Sequence, residues 1–175
     1  MGAMAPATAK GDSSKRMRTT SVQLLSFNDY HGHLEATDTP LSRAQDPSQT
    51  PAGGVEYLSS RLAMLRSTAP GGRSLTVAAG DLIGGSPFLS GMFHDEPSVE
   101  SLNALGLDVS SVGNHEFDEG TKELLRMQRG GCHPKDGCYF PDAPYKGADF
   151  HWLAANVIKK STGRPLLPAV SVKRV

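Results

Sequence analysis

The chain has 175 residues, which is enough for one domain with a substantial hydrophobic core. Apolar residues make up 38% of it, and 18 Lys and Arg balance 18 Asp and Glu, so the formal net charge is zero. This balance, without a basic stripe, argues against a nucleic-acid polymer as partner, and no apolar run approaches the ~20 residues of a membrane-spanning helix.

The first stretch of the chain, residues 1–20, is polar and rich in small side chains. This composition predicts a disordered lead-in, and its Met-Gly-Ala-Met start resembles a vector-derived scar. The stretch contains no apolar signal-peptide core. A secreted precursor would have lost such a core on processing.

The first predicted strand covers residues 22–28 and runs directly into Asp29 and His31. Side chains two residues apart on extended backbone point the same way, so this carboxylate and this imidazole can converge on one point. A divalent cation is the simplest ligand for such a pair. The alternative is a polar strand end with solvated histidines, because Asp-x-His is a short motif.

The next two elements are a helix and a second strand. Apolar residues at helical spacing from Val55 to Leu65 predict a helix that Pro70 and two glycines stop. Residues 74–79 form a near-continuous apolar run, which is typical of a strand covered on both faces. This strand, like the first, ends in a carboxylate, in the sequence Gly80-Asp81.

A second helix and a third strand follow. Pro97 suits a first helical position, and the apolar residues after it predict a helix that Gly106 closes. Residues 108–112 predict a third strand, and this strand ends in Gly113-Asn114-His115-Glu116. Polar side chains therefore follow a predicted strand for the third time.

The last predicted elements are a helix over residues 121–128 and a strand over 152–157. Residues 169–175 alternate like a further strand and stop without a turn. We interpret this bare apolar edge as the end of a fragment cut from a longer protein.

The alternation of strands and helices predicts an α/β fold with a largely parallel sheet and helical crossovers. Ligands of such sheets bind beyond the carboxyl ends of the strands. Three of the four main predicted strands end there in Asp, His or Asn. The sequence therefore places its candidate site at this edge.

Two cysteines, Cys132 and Cys138, flank a turn-forming loop of His, Pro, Lys, Asp and Gly. A local disulfide fits this spacing and would indicate an oxidising compartment. Free thiols are one alternative. A zinc site that uses both cysteines and His133 is another, although no second Cys/His pair lies nearby in the sequence.

The three polar strand ends, Asp29-x-His31, Gly80-Asp81 and Gly113-Asn114-His115-Glu116, resemble in this order the calcineurin-like metallophosphoesterases. The longer stretches 27–34 and 113–118 resemble the 5′-nucleotidase and 2′,3′-cyclic-nucleotide phosphodiesterase branch. The resemblance implies that residues 21–175 are the N-terminal half of an αββα sandwich. It also implies that this domain is truncated before the downstream metal-binding histidines of the family.

The resemblance implies a site for two divalent metal ions, Mn, Zn or similar, which hold a phosphate and activate a water. Asp29 and His31 would hold the first ion, Asp81 would bridge both, and Asn114 would bind the second. The mixed oxygen and nitrogen ligands also allow Fe, Co or Ni. The fragment alone would hold these ions partially or not at all.

Two further residues would act on the substrate according to the resemblance. His115 would contact the phosphate and stabilise its charge or assist the leaving group, and Asp118 would orient His115 in its protonated form. A helix N-cap is the alternative role for Asp118. We expect Glu116 at the surface or in a cap, and His33 could approach the substrate. The histidines that fit no ligand pattern are His94, His133 and His151.

The implied function is the hydrolysis of a nucleotide or another small phosphate ester by a secreted, periplasmic or cell-surface enzyme. Because no histidine follows His151, we expect the fragment to be nearly inactive without the missing C-terminal part of the same protein. The alternatives are a non-catalytic binding or interaction domain that keeps the fold, and an unrelated α/β domain with a polar mouth.

Overall fold

The computed structural model describes residues 19–36 and 53–175. The lead-in predicted over 1–20 therefore lies, except for its last two residues, outside the described part. In chain order the elements are β1 (Gln23–Phe27), α1 (Val55–Ser67), β2 (Ser74–Ala78), α2 (Phe88–Gly91), α3 (Glu96–Ala104), β3 (Val109–Ser111), α4 (Gly120–Arg129) and β4 (His151–Leu153).

The four strands form one parallel sheet in the order β1-β2-β3-β4. Each strand is joined to the next by a segment that contains a helix, which confirms the predicted α/β class with helical crossovers. Because all strands run the same way, their carboxyl ends lie at one edge of the sheet. None of the helices in the described ranges is long and apolar enough to cross a membrane.

The sheet has one buried and one partly open face. Ala78, Ser110 and Trp152 are register partners on neighbouring strands, and all three are buried. On the opposite face Leu24 pairs with Leu75 and remains 63% exposed. The prediction that residues 74–79 are covered on both faces holds for one face only, because Thr76 and Ala78 are buried whereas Leu75 and Val77 on the opposite face are half-buried.

The helices follow from apolar residues at helical spacing. Leu124 and Met127 are three residues apart on α4, and both are fully buried. The helix ends at Gly130, whose φ of 84° is left-handed backbone that glycine adopts readily. The predicted helices near Pro97 and over 121–128 are present, whereas the single turn of α2 was not predicted.

The C-terminal predictions need correction. β4 stops at Leu153, because Ala154 donates its N–H to the carbonyl of Pro168 (2.9 Å) instead of continuing the ladder. Residues 169–175 form no strand, and Val172 is 90% exposed. Alternating sequence alone does not make a strand where no neighbouring strand offers hydrogen bonds.

Candidate active site

The segments that follow β1 and β2 run side by side at the carboxyl edge of the sheet. Asp29 donates its backbone N–H to the carbonyl of Gly80 (3.1 Å), and His31 donates its own to the carbonyl of Asp81 (3.1 Å). Gly32 likewise donates its backbone N–H to the carbonyl of Leu82 (3.2 Å). Backbone hydrogen bonds therefore bring two of the predicted polar strand ends together.

Three of the predicted metal ligands occupy left-handed backbone. The φ angles are 54° at Asp29, 44° at His31 and 52° at Asp81. The extended geometry that we assumed for Asp29 and His31 is therefore wrong. Left-handed backbone is unfavourable for residues with a side chain, and such strain concentrates at functional sites.

The ends of β2 and β3 approach so closely that two glycines are required. A Cβ atom on Gly80, where φ is 101°, would clash with the backbone nitrogen of Gly113. A Cβ atom on Gly113 would clash with the carboxylate of Asp81. The Asp81 side chain therefore packs directly against the residue that precedes Asn114.

Three side chains, His31, Asp81 and His115, form what we call the strand-end cluster. One ligand atom from each lies within 4.8 Å of the others. The two imidazole rings meet edge to face with centroids 4.8 Å apart. The backbone N–H of His115 also donates to Oδ1 of Asp81 at 3.0 Å. Nitrogen and carboxylate oxygen donors thus converge where the sequence predicts metal ligands.

The ring orientation of His31 leaves one nitrogen available. Its Nδ1 lies 2.6 Å from the carbonyl oxygen of Gly84. A carbonyl only accepts hydrogen bonds, so Nδ1 carries a proton, and in the neutral ring Nε2 keeps its lone pair. A metal-binding histidine is commonly oriented in this way by a backbone carbonyl.

The other two predicted ligands lie outside this cluster. Asp29 is exposed, and its carboxylate accepts a hydrogen bond from the side-chain amide of Asn28. Asn114 is exposed as well and precedes a 3₁₀ turn, His115–Phe117. The structure therefore brings together two of the four predicted ligands and adds His115 to them. His33 is exposed and belongs to no metal-type group of the described residues.

His115 and Asp118 form the predicted pair. Nδ1 of His115 lies 2.8 Å from Oδ2 of Asp118. This hydrogen bond raises the pKa of His115 above its ordinary value. The N-cap role of Asp118 is wrong, because α4 begins at Gly120 and its N-cap residue is Glu119.

Glu116 is buried rather than at the surface, so the expectation for this residue is wrong. It is 2% exposed and accepts three backbone N–H groups, from Asp81 (3.0 Å), Leu82 (2.9 Å) and Gly113 (2.5 Å). Sharp turns leave such donors without secondary-structure partners, and a buried carboxylate satisfies them. Glu116 therefore holds the two strand ends that carry Asp81 and Asn114.

Asp95 is a second supporting carboxylate that the sequence analysis missed. It is 7% exposed and accepts the N–H of Gly84 (2.8 Å) and the hydroxyl of Ser90 (2.7 Å). Because the Gly84 carbonyl orients His31, Asp95 supports the position of the His31 ring indirectly. No motif links Asp95 to Gly84, so this contact had no signal in the sequence.

A cavity of about 280 Å³ opens beside the strand-end cluster. His115 and Asp118 line one part of it, and His94 and Glu119 line another. The cavity is large enough for a small anionic group such as a phosphate. Its walls join the predicted catalytic pair to a region that the sequence analysis treated as ordinary.

The two cysteines are paired. Cys132 and Cys138 form a disulfide, with Cα atoms 4.5 Å apart. Their sulfur atoms are therefore not available to a zinc ion, and the zinc site built on both cysteines is wrong. The short loop that they close carries His133.

Comparisons with known proteins identify the family. No protein-family model matches the chain. An uncharacterized protein from the pqq-V 5′ region of Acinetobacter calcoaceticus is 40% identical over 166 residues, which cover 87% of this chain and 78% of that protein. The 5′-nucleotidase of Bos taurus is 32% identical over 108 residues, which cover 62% of this chain. The chain belongs to the 5′-nucleotidase family of metallophosphoesterases.

Relatives with other names are also similar to the chain. Endonuclease YhcR of Bacillus subtilis is 42% identical over 88% of the chain, and cell wall protein Lmo0130 of Listeria monocytogenes is 36% identical over 82% of it. The chain spans 12% of the endonuclease, 18% of the cell wall protein and 18% of the bovine nucleotidase.

A solved structure shows the 5′-nucleotidase fold of the chain. The NAD nucleotidase (NadN) of Haemophilus influenzae superposes with a TM-score of 0.58 at 23% identity. The match covers 81% of this chain and 22% of that protein. The parallel sheet with its helices thus corresponds to the N-terminal part of the metallophosphoesterase fold, as predicted.

Proposed function

We propose that the carboxyl edge of the sheet is a divalent-metal site that hydrolyses a phosphate ester of a nucleotide. The observation that carries this proposal is the convergence of His31 and Asp81, with His115 beside them, within 4.8 Å. A set of imidazole and carboxylate donors suits Mn, Zn or a similar ion. When bound, two such ions polarise a phosphate ester and lower the pKa of an attacking water.

Four residues are proposed to hold the ions: Asp29, His31, Asp81 and Asn114. Oδ1 of Asp81 accepts a backbone N–H, while Oδ2 has no hydrogen bond within the described ranges and is free to bind. Nε2 of His31 is free for the reason given above. Asp29 and Asn114 are exposed beside this pair, so their side chains can turn toward it without loss of buried packing.

His115 is proposed as the residue that acts on the phosphate. Its Nδ1 donates to Asp118, so only Nε2 can reach a substrate. The hydrogen bond that raises its pKa favours the protonated ring. A protonated Nε2 stabilises charge on the phosphate or gives its proton to the leaving alcohol.

A mononucleotide or a similarly small ester is the proposed substrate. The relatives whose names state an activity act on nucleotides or nucleic acid. The zero net charge of this chain provides no cationic track for a polymer. We also propose a secreted, periplasmic or cell-surface location, which is supported by the paired cysteines and by the similarity to a cell wall protein.

The test uses the 175-residue chain, stripped with EDTA and reloaded with Mn²⁺. We expect 5′-AMP to bind in calorimetry only when Mn²⁺ is present. Asp81→Asn should weaken Mn²⁺ binding at least ~10-fold and abolish AMP binding. His151→Gln, a change at an exposed histidine outside the cluster, is the matched control. Equal AMP binding in EDTA and in Mn²⁺ would contradict the proposal.

We further propose that this chain alone turns over substrate slowly. Its sequence contains no histidine after His151, so it lacks the later histidines that the family pattern uses. Release of p-nitrophenol from p-nitrophenyl phosphate measures this, with the Haemophilus NAD nucleotidase assayed alongside. Equal rates per molecule would show that the present residues suffice.

A further inference from the structure

A second group of metal-type side chains lies across the cavity from the catalytic pair. We call it the loop cluster, and it consists of His94, Glu119, Glu123 and His133. One ligand atom from each lies within 4.8 Å of the others. The sequence suggested a role for His133 only together with the two cysteines and none for His94, and the proposed function uses none of the four.

The imidazoles and carboxylates of this group are in direct contact. Nδ1 of His94 lies 2.8 Å from Glu119, and its Nε2 lies 2.9 Å from Asp136. His133 lies 3.0 Å from the same carboxylate of Asp136. The two imidazole rings stack with centroids 3.8 Å apart. Their side chains are only 19% and 10% exposed.

Three separate segments supply these residues. His94 lies at the corner between α2 and α3, in left-handed backbone with φ of 49°. Glu119 and Glu123 lie at the start of α4. His133 lies on the disulfide loop, where its backbone N–H and carbonyl both bond to Gly137 (3.0 and 2.9 Å). The backbone that presents the second histidine is therefore fixed at two points.

The charges of this region favour a cation. Three carboxylates, Glu119, Glu123 and Asp136, surround two histidines. Arg126 donates hydrogen bonds to both carboxylate oxygens of Glu123 and one to Glu96 at 2.5 Å, so Glu123 is already paired. Glu119 and Asp136 are the carboxylates that face the histidines. A dication placed between the histidine nitrogens and these carboxylate oxygens would balance the negative charge.

We propose that the loop cluster binds a divalent transition-metal ion of the Zn²⁺ type through His94, His133 and Glu119. Two imidazole nitrogens and a carboxylate oxygen are typical zinc ligands. Zinc bonds of about 2.0–2.1 Å need donors roughly 3.3 Å apart, so shifts of about 1 Å from the present positions are sufficient. Asp136 accepts from the second nitrogen of His94, as carboxylates behind zinc-bound histidines do.

An ion at this position would join the disulfide loop to both supports of the active-site cavity. Glu119 directly follows Asp118, which orients His115. His94 directly precedes Asp95, which holds the Gly84 loop. The ion would thus fix two walls of the cavity without contacting substrate. This inference does not depend on the proposed function.

The test separates the two clusters by substitution. In the full 175-residue chain carrying His31→Gln and Asp81→Asn, we expect one Zn²⁺ per chain in competition with a chromophoric chelator. Adding His94→Gln and His133→Gln should weaken that binding at least ~10-fold. His151→Gln is the matched control and should leave it unchanged. Co²⁺ should give visible absorption bands that disappear with the same two changes.

Two results would overturn the inference. One is the absence of Zn²⁺ from the chain in which only His31 and Asp81 are replaced. The other is unchanged Zn²⁺ affinity after both loop-cluster histidines are replaced. If that variant does not fold by circular dichroism, Glu119→Gln replaces it, since this side chain is 44% exposed. We expect at least ~10-fold weaker binding there too, and equal affinity would likewise refute the site.

Discussion

The strand-end cluster and the loop cluster contain the same chemical groups but are built in different ways. Consecutive strand ends deliver His31, Asp81 and His115, and backbone hydrogen bonds and close glycine contacts hold them. Side chains from three loops or helix ends form the loop cluster, and a disulfide holds one of them. Backbone thus determines the first cluster, whereas long-range packing determines the second.

One feature is common to both clusters. Within the described residues, every non-glycine residue with positive φ lies in one of them or next to one: Asp29, His31, Asp81, His94 and Asp95. Each such backbone conformation lowers the stability of the fold by about 1–3 kcal/mol and persists only where neighbouring contacts enforce it. Changes that act on backbone should therefore damage the strand-end cluster, and changes that act on the disulfide loop should damage the loop cluster.

The largest effect is expected from Gly113→Ala. The new Cβ would clash with the Asp81 carboxylate, so we expect a loss of about 3 kcal/mol in the free energy of unfolding. Mn²⁺ binding at the strand-end cluster should fall with it, while Zn²⁺ binding at the loop cluster persists. Urea unfolding and metal titration measure both.

Gly72→Ala is the control for that change. Gly72 is left-handed with φ of 72°, but nothing lies within 4 Å of its added Cβ. Gly72→Ala should lower the free energy of unfolding by about 1 kcal/mol, from backbone strain alone. Equal losses for the two variants would show that the contact with Asp81 is unimportant.

Glu116→Gln should have the next largest effect. Three backbone N–H groups converge on this carboxylate, and an amide offers a single acceptor oxygen. We expect about 2 kcal/mol lower stability and roughly 10-fold weaker Mn²⁺ binding. Glu100→Gln, at an exposed site on α3, is the control. Unchanged Mn²⁺ affinity in Glu116→Gln would mean that Asp81 is positioned without it.

Replacing both Cys132 and Cys138 by Ser should act on the other cluster. The disulfide closes a loop of sequence separation 6, so its loss should cost about 2 kcal/mol. Zn²⁺ affinity at the loop cluster should fall, because His133 is no longer held, and Mn²⁺ affinity at the strand-end cluster should not. Calorimetry with each ion measures the two effects separately, and equal losses would erase the distinction between the clusters.

Tyr145→Phe should have the smallest effect at neutral pH and a clear effect at high pH. The Tyr145 hydroxyl is buried and donates to the carbonyl of Met127 on α4 (2.7 Å). Burial raises the pKa of Tyr145 far above its ordinary value of 10.0. Its contribution to stability is therefore full below pH 10.0 and is lost as pH rises beyond it, because only the unfolded chain ionises.

The variant should lose about 1 kcal/mol at neutral pH, because the hydrogen bond is gone. Its free energy of unfolding should then fall less steeply above pH 10.0 than that of the parent chain. Urea unfolding across this range checks the slope. Tyr57→Phe changes a side chain that is 62% exposed, so it should show the same decrease in the free energy of unfolding with pH as the parent chain. The same decrease in Tyr145→Phe would contradict the claim that buried Tyr145 causes it.

The sequence was sufficient for features that depend on local pattern and sheet topology. A carboxylate or imidazole directly after a parallel strand must lie at the carboxyl edge, and His31, Asp81 and His115 do. The direction in which a side chain points was less predictable. Asp29, for example, has left-handed rather than extended backbone. Sequence periodicity does not reveal that difference.

The sequence was not sufficient for contacts between distant segments. Glu116 bonds to backbone 34 and 35 residues away, and His94 meets Asp136 at a separation of 42 residues. No periodicity or motif records which loops meet. The exposure of Leu24 on β1 was also not predicted. An apolar run in β2 does not show whether helices cover the neighbouring strand β1.

The most direct test of the central proposal is an anomalous-scattering map of crystals of the chain soaked in Mn²⁺. We predict a peak at about 2.0–2.2 Å from both Nε2 of His31 and a carboxylate oxygen of Asp81, with the Asp29 side chain turned toward the same site. A map with no peak between His31 and Asp81, at a Mn²⁺ concentration that occupies sites elsewhere on the chain, would contradict the account.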